Sequence, residues 1–471
     1  MISEIIAPMM LVLIIVLIIA GKMNRLLAAF IGAIIVAFFL LYVDRVDATI
    51  VVGFIFGSEN SNLHTILFIF GMMIIIIACK KSGVFNYIAF RLVKFSKGKS
   101  RYVLIILCSF TFIFSSISMN ILCIFIVIPL TITICRILRI NPIPFILSEG
   151  MVVNTGGLLF VISSIPNILI SNSIGWSFPE YFQEVGIFSL FLFFISVIFL
   201  IKYNEKKLET PENNYIERLM DYDPWMFVAS KSNFYKSFTM LIITILSVII
   251  LPLFSTIEID IISLSGGIIT TLLIFNRKFQ SLWKDLDLEL IFYLFCILFV
   301  SEAIQYTGIL NFVAYGINDI TSGNTVATTL VLLWISGLLS SVVHNAPITK
   351  IFIPIVNDIS TTGTQHTLFS AVSIGTTLGE NLSTMGDNLV LIIMVRNYGY
   401  KLSFSSFMKL GVVITLIQLL SSSVYLVMRA YIQDLIIGVI ILTGIVILLY
   451  FYPKIITLIK TNIKLNKKGK V

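Results

Sequence analysis

Apolar runs of membrane-crossing length recur along this chain, and no soluble fold could bury them all. Met10–Ala20, Leu26–Val43 and Leu63–Cys79 approach or reach the ~20 residues that carry a helix through the hydrocarbon core of a bilayer. Runs of the same kind lie at 3–20, 26–43, 63–80, 183–201, 237–254, 261–275, 289–306, 408–428 and 433–452. Charged residues make up 12% of the chain, against ~25% in a soluble domain. A series of such runs is not a signal peptide ahead of a soluble domain. Residues 1–20 lack a basic leading segment and read as a first membrane helix.

The other apolar segments are not plain spans. Segments 144–175 and 367–395 are interrupted by polar and Gly-rich stretches. Segments 102–137 and 327–357 are apolar at both ends with a polar centre. Loop charge decides how the second pair runs. Lys80, Lys81, Arg91, Lys94, Lys97, Lys99 and Arg101 mark loop 80–101 as cytoplasmic, and Arg136 and Arg139 mark the far end of 102–137 the same way. Both ends on one face make 102–137 a re-entrant hairpin. Continuing the count places Lys202, Lys206, Lys207, Arg277, Lys278, Lys284, Arg396, Lys401 and the Lys-rich tail inside, with Arg45 and Arg429 outside. The expected fold is an all-α polytopic membrane protein of about eleven transmembrane helices, two re-entrant hairpins and two broken helices. Its N-terminus is outside the cell membrane and its C-terminus is cytoplasmic.

The same charges explain the net +8 without nucleic acid. Cys79, Cys108, Cys123, Cys135 and Cys296 sit in or beside apolar runs with no CxxC pair, as packing residues rather than zinc ligands. Gly98-Lys99-Ser100 ends like a P-loop, but Val93 stands where its first glycine belongs. No HExxH or other catalytic cluster points to an enzyme, and no cofactor is expected beyond Na+ or H+ as a coupling ion.

Self-similarity organises the rest. Residues 78–89, ACKKSGVFNYIA, match 303–314, AIQYTGILNFVA, at an offset of 225 (303 − 78) with four identities. Ser115-Ser116, Asn120 and Pro129 return at that offset as Ser340-Ser341, Asn345 and Pro354, and Gly156 returns as Gly379. The loop after the first copy is densely basic, whereas 307–325 has no Lys or Arg, so the halves face opposite ways. Inverted halves are the plan of many secondary transporters. The chain divides into an extra helix (1–25), a first repeat (26–201), a cytoplasmic linker (202–236), a second inverted repeat (237–430) and a C-terminal helix with a basic tail (431–471).

Non-helical backbone survives at membrane depth only where protein buries it or a cavity wets it. Four stretches qualify. The first hairpin tip carries Ser118 and Asn120. The first break carries Asn154, Thr155, Gly156 and Gly157, then Ser163, Ser164, Pro166 and Asn167. The second tip carries His344, Asn345, Pro347 and Thr349. The second break carries Gly379, Glu380, Asn381, Ser383, Thr384 and Asn388. Glycine frees carbonyls for a cation, Ser, Thr and Asn add neutral oxygens, and the following helix ends offer N–H groups to an anion. Glu149, Glu302, Lys350, Glu380 and Asp387 fall in apolar surroundings, where each charge costs roughly 3 kcal/mol. Lys350 is expected to pair with Asp387 or Glu380 and, with His344, to couple transport; Glu302 reads as a helix-end residue.

At these clusters the chain resembles the ion transporter superfamily, which includes the ArsB arsenite permeases, NhaD-type sodium/proton antiporters, citrate permeases and divalent anion:sodium symporters. The resemblance runs through Ser118-Met119-Asn120 to Pro129, Asn141-Pro142-Ile143-Pro144-Phe145, Ser148-Glu149 and Asn154-Thr155-Gly156-Gly157 to Pro166-Asn167. In the second half it runs through His344-Asn345-Ala346-Pro347-Ile348-Thr349 to Pro354, then Gly375 and Gly379-Glu380-Asn381 to Gly386. It implies hairpin tips meeting broken helices, and Na+ sites near Asn120 with Gly157 and near Asn345 with Asn381. It also implies a homodimer and an elevator-like alternating-access motion. The implied function is ion-coupled transport of a small anion, a dicarboxylate or oxyanion, with Na+/H+ antiport or arsenite efflux as the alternative and a channel a more distant one. Met119, His344 and Glu380 depart from the family pattern.

Overall fold

The computed structural model describes residues 6–10, 13, 25–56, 61–118, 120–254, 257–275, 280, 282, 284–341, 345–361, 363–383 and 387–431, all helix, turn or coil. The expected spans at 3–20 (apart from helical residues 6–10 and 13) and 433–452, together with His344 and Thr384, lie outside these residues. The first half contains α1 (Arg25–Phe38, continued by a π-turn Phe39–Val43), α2 (Ala48–Phe56), α3 (Ser61–Ser82), α4 (Val84–Lys94), α5 (Ser100–Ile117), α6 (Asn120–Leu138), α7 (Ile143–Gly156), α8 (Ile165–Ile174) and α9 (Ile187–Asn204, extending a turn at Phe178–Tyr181). A short α10 (Asn213–Asp221) lies in the linker. The second half contains α11 (Lys231–Phe254), α12 (Ile259–Thr270), α13 (Leu288–Tyr306), α14 (Ile309–Thr321), α15 (Thr325–Ser340), α16 (Asn345–Ile359), α17 (Gln365–Gly379), α18 (Asp387–Asn397) and α19 (Phe404–Tyr431).

The repeat holds to the residue where it matters. Helices α14, α15 and α16 start 225 residues after α4, α5 and α6 (309 − 84, 325 − 100, 345 − 120). Gly83 and Gly308 cap α4 and α14 with φ of +78° and +75°, a left-handed turn that a β-carbon would strain.

Seven helices are long and apolar enough to cross a membrane among the described residues. The broken elements are shorter. At 1.5 Å per residue, α7 spans ~21 Å and α8 ~15 Å, so neither crosses a ~30 Å core alone. Hairpin α5–α6 opens on the face of the linker. The Ser100 hydroxyl donates to the Glu209 carbonyl, and the Asn141 N–H donates to Glu209 Oε2 at 2.9 Å. Lys94 also reaches the linker, donating to the Met220 carbonyl at 2.6 Å. The opposite face holds Glu184, which pairs with Arg429 and with His366 Nδ1 at 3.3 Å. That ion pair accounts for the one basic residue at the end of α19 on this face. Chain α16 ends on the same face, where Gln365 Nε2 donates to Asn357 Oδ1 at 3.5 Å. The two hairpins therefore open on opposite faces. Helices α1 and α11 are the least buried of the seven, with exposed apolar residues such as Ile242, Ile243, Leu246 and Ile250. The five cysteines are buried and free.

Candidate functional site

Each hairpin tip ends where a helix begins with asparagine. In the first half Asn120 Nδ2 donates to Asn154 Oδ1 at 2.7 Å, and Asn154 Nδ2 donates to Asn381 Oδ1 at 2.9 Å. Asn381 Nδ2 closes the chain on the Met151 carbonyl at 3.1 Å. Three buried amides thus tie the halves together. The Asn120 Oδ1 atom is buried and accepts no hydrogen bond. It lies over Gly157, where a β-carbon would come within 3.1 Å of it. A buried carbonyl oxygen with no donor costs ~1–3 kcal/mol unless something else meets it.

The second tip repeats the frame. Asn345 is 4% exposed and its Oδ1 also accepts no hydrogen bond. Its backbone N–H points at Glu380 Oε1, 3.4 Å away. Asn381 was expected beside Asn345, but its amide faces the first half instead, and Glu380 takes that place.

Two further asparagines show which residues correspond. Asn167 Nδ2 donates to the carbonyls of Gly157 (2.7 Å) and Phe160 (3.1 Å). Asn388 Nδ2 donates to those of Glu380 (2.7 Å) and Ser383 (3.1 Å). Both acceptor pairs are offset by 223 (380 − 157, 383 − 160), and Phe160 and Ser383 are both extended, with φ of −127° and −131°. Glu380 is therefore the counterpart of Gly157. The breaks are held open by these amides, which hold carbonyls that a continuous helix would have used.

Close packing sets the remaining shape. A β-carbon on Gly156 would lie 2.0 Å from Ser115 Oγ and 2.5 Å from the Phe112 carbonyl. One on Gly379 would lie 2.1 Å from the Gly337 carbonyl. Several hydroxyls picked out in the sequence serve their own backbone: Ser118 donates to the Phe114 carbonyl, Thr349 to that of Asn345 and Ser163 to that of Gly157. Thr155 Oγ1 accepts from Gln418 Nε2 at 2.9 Å. Ser164 Oγ is buried without a partner at the head of α8. Pro166 and Pro347 occupy the first turns of α8 and α16, where a missing N–H costs nothing.

Lys350 is paired with Glu302, Nζ to Oε1 at 2.8 Å, with side chains 6% and 8% exposed. Glu302 was not among the expected partners, and of those the Asp387 side chain lies outside the described residues. Asn62 Nδ2 stands 3.5 Å from the same Glu302 oxygen. Glu302 reads as a helix-end residue in the sequence, but it lies in the last two turns of α13, where α16 packs against that helix and brings Lys350 to it. Gln418 and Asn62 carried no signal in the sequence. Lys350 also lines a cavity of about 680 Å³ that reaches Val161 in the first break and opens past Trp176, Asn357 and Gln305. That volume suits a small solute.

Comparison with known proteins agrees with this geometry. The profile of the citrate transporter family matches residues 15–367 and again 240–465. A 46 kDa membrane protein of Mycobacterium leprae is 25% identical over 88% of this chain and 96% of its own length. An uncharacterized transporter of Mycobacterium tuberculosis is 25% identical over the same shares. Among solved structures, the YdaH transporter of Alcanivorax borkumensis superposes with a TM-score of 0.58 at 14% identity, covering 82% of this chain and 89% of that one. Neisseria gonorrhoeae MtrF, described as one of a class of antimetabolite efflux pumps, gives 0.56 at 14% identity, covering 91% and 95%. With its hairpins, breaks and family profile in agreement, the chain belongs to the citrate transporter family, within the ion transporter superfamily.

Proposed function

We propose that this secondary transporter moves a small anion, a di- or tricarboxylate or an oxyanion, across the cell membrane, driven by cations held at the two hairpin tips. One observation carries the reading. Asn120 and Asn345, equivalent residues in inverted halves, each present a buried side-chain oxygen with no hydrogen-bond donor beside a broken helix. Matched, dehydrated oxygens of this kind suit Na+, and the heads of α8 and α18 direct N–H groups toward an anion between them. The side of the cavity mouth is external in this reading, and the protein works as a homodimer with an elevator-like motion.

A second reading, cation or proton exchange without an organic anion, draws on the cavity. Among the described residues Lys350 is the one Lys or Arg lining it, and Glu302 pairs with it. Reconstitution into liposomes separates the two. Radiolabelled citrate, succinate and phosphate are offered under imposed Na+ and H+ gradients, with a pH dye inside. Gradient-driven accumulation of one of these anions supports the proposal. Na+-driven proton movement with no anion uptake replaces it with the second reading.

A further inference from the structure

A second polar cluster stands at the cavity mouth, apart from the hairpin tips. His64 lies in the first turn of α3, Glu258 just ahead of α12 and Asp260 in the first turn of α12. His64 Nδ1 is 2.7 Å from Glu258 Oε2 and 2.9 Å from Asp260 Oδ2. One ring nitrogen carries either a single proton or a single lone pair, so it cannot make two full hydrogen bonds to carboxylates. Neighbouring donors of an octahedral sphere with bonds of ~2.0–2.2 Å stand ~2.8–3.1 Å apart, so these atoms need to shift by only a few tenths of an ångström to share an ion. Asp260 is 2% exposed, and its Oδ1 is buried with no hydrogen-bond partner, so half of a dehydrated carboxylate remains unmet. Glu258 is exposed, which leaves the cluster accessible from the cavity.

We propose that His64, Glu258 and Asp260 bind a divalent transition-metal ion at this mouth. One imidazole and two carboxylates form a mixed N/O set that suits Zn2+, Co2+ or Mn2+, with the remaining positions open to the cavity. The ion fastens the start of α3 to the start of α12. These two helices already pack at van der Waals distance, and a β-carbon on Gly71 would lie 2.4 Å from the Ser263 backbone. Nothing in this site requires that the chain carry an anion, so the binding stands or falls separately from transport.

The test uses the full chain in detergent, treated with chelator and then titrated with Co2+, read by its visible d–d absorption and by displacement with Zn2+. One saturable ion per chain is expected. His64→Ala and Asp260→Asn each weaken it by about 100-fold and Glu258→Gln by about tenfold, while His366→Ala leaves it unchanged. Glu258 is exposed, so its variant folds even where the other two do not. Absence of saturable Co2+ and Zn2+ binding overturns the site. Saturable binding that Glu258→Gln and His64→Ala both leave intact overturns it as well.

Discussion

The two hairpin tips share a backbone but not a charge. Asn120 and Asn345 begin equivalent helices, Asn167 and Asn388 hold equivalent breaks, and both tips leave an amide oxygen without a donor. Beside the first tip stands Gly157, with no side chain at all; beside the second stands the carboxylate of Glu380. The difference teaches how a duplicated frame specialises. A site made of neutral oxygens gains its charge only when a cation arrives. A site that carries a carboxylate at membrane depth holds a charge that must be met at every step, by a cation or by a proton. In the proposed reading the frame sets where ions go, and the side chain beside each tip sets which ions.

The largest expected effect tests whether the charged half depends on its ion pair. Lys350→Met leaves Glu302 buried without its ammonium, which is expected to cost about 3–5 kcal/mol. Thermal unfolding in detergent reads this as a large drop in Tm, and adding Glu302→Gln to the same chain restores most of it. A single variant as stable as the parent would show that the pair does not anchor α16 to α13.

Next come the tips themselves, in the liposome assay. Asn120→Ala is expected to raise the Na+ concentration for half-maximal uptake by at least about tenfold, equivalent to ~1.4 kcal/mol, and to leave the pH profile in place. Glu380→Gln is expected to do the reverse, flattening the pH profile with a Na+ dependence close to that of the parent. Identical behaviour of the two variants would mean that the tips do not divide the ions between them.

Much of this frame is legible in the sequence alone. Hairpins read at 102–137 and 327–357 appear at Ser100–Leu138 and Thr325–Ile359, and both breaks fall where Gly156 and Gly379 interrupt the apolar runs. These features follow from local rules, since membrane depth permits irregular backbone only with help. The pairings were not legible, because they cross between elements. Glu302 looked like a helix end until α16 packed against it. Asn381 looked like a neighbour of Asn345 until its amide turned to Asn154 in the other half. Ser118 and Thr349 each give their proton to the carbonyl four residues back, a bond that residue type and spacing alone do not single out. Periodicity and charge report on one element at a time, and a side chain's choice among several partners depends on all of them.

The smallest effect examines the equivalence of the two breaks. Asn167→Ala removes both donations to Gly157 and Phe160 and also the acceptor that Ser373 Oγ uses at 3.2 Å. Asn388→Ala removes only the two donations to Glu380 and Ser383. After Asn167→Ala the Ser163 hydroxyl still reaches the Gly157 and Phe160 carbonyls, so the main loss is the acceptor of Ser373, about 1 kcal/mol, whereas Asn388→Ala loses its two donations outright, at ~1–3 kcal/mol in all, and is the costlier by about 1 kcal/mol. Thermal unfolding of the two variants side by side measures that gap. Tyr181 widens it, because its hydroxyl lies 3.2 Å from Ser373 Oγ and supplies a second partner when the Asn167 oxygen is gone. A larger loss in Asn167→Ala would mean that Ser163 does not hold the first break without its asparagine.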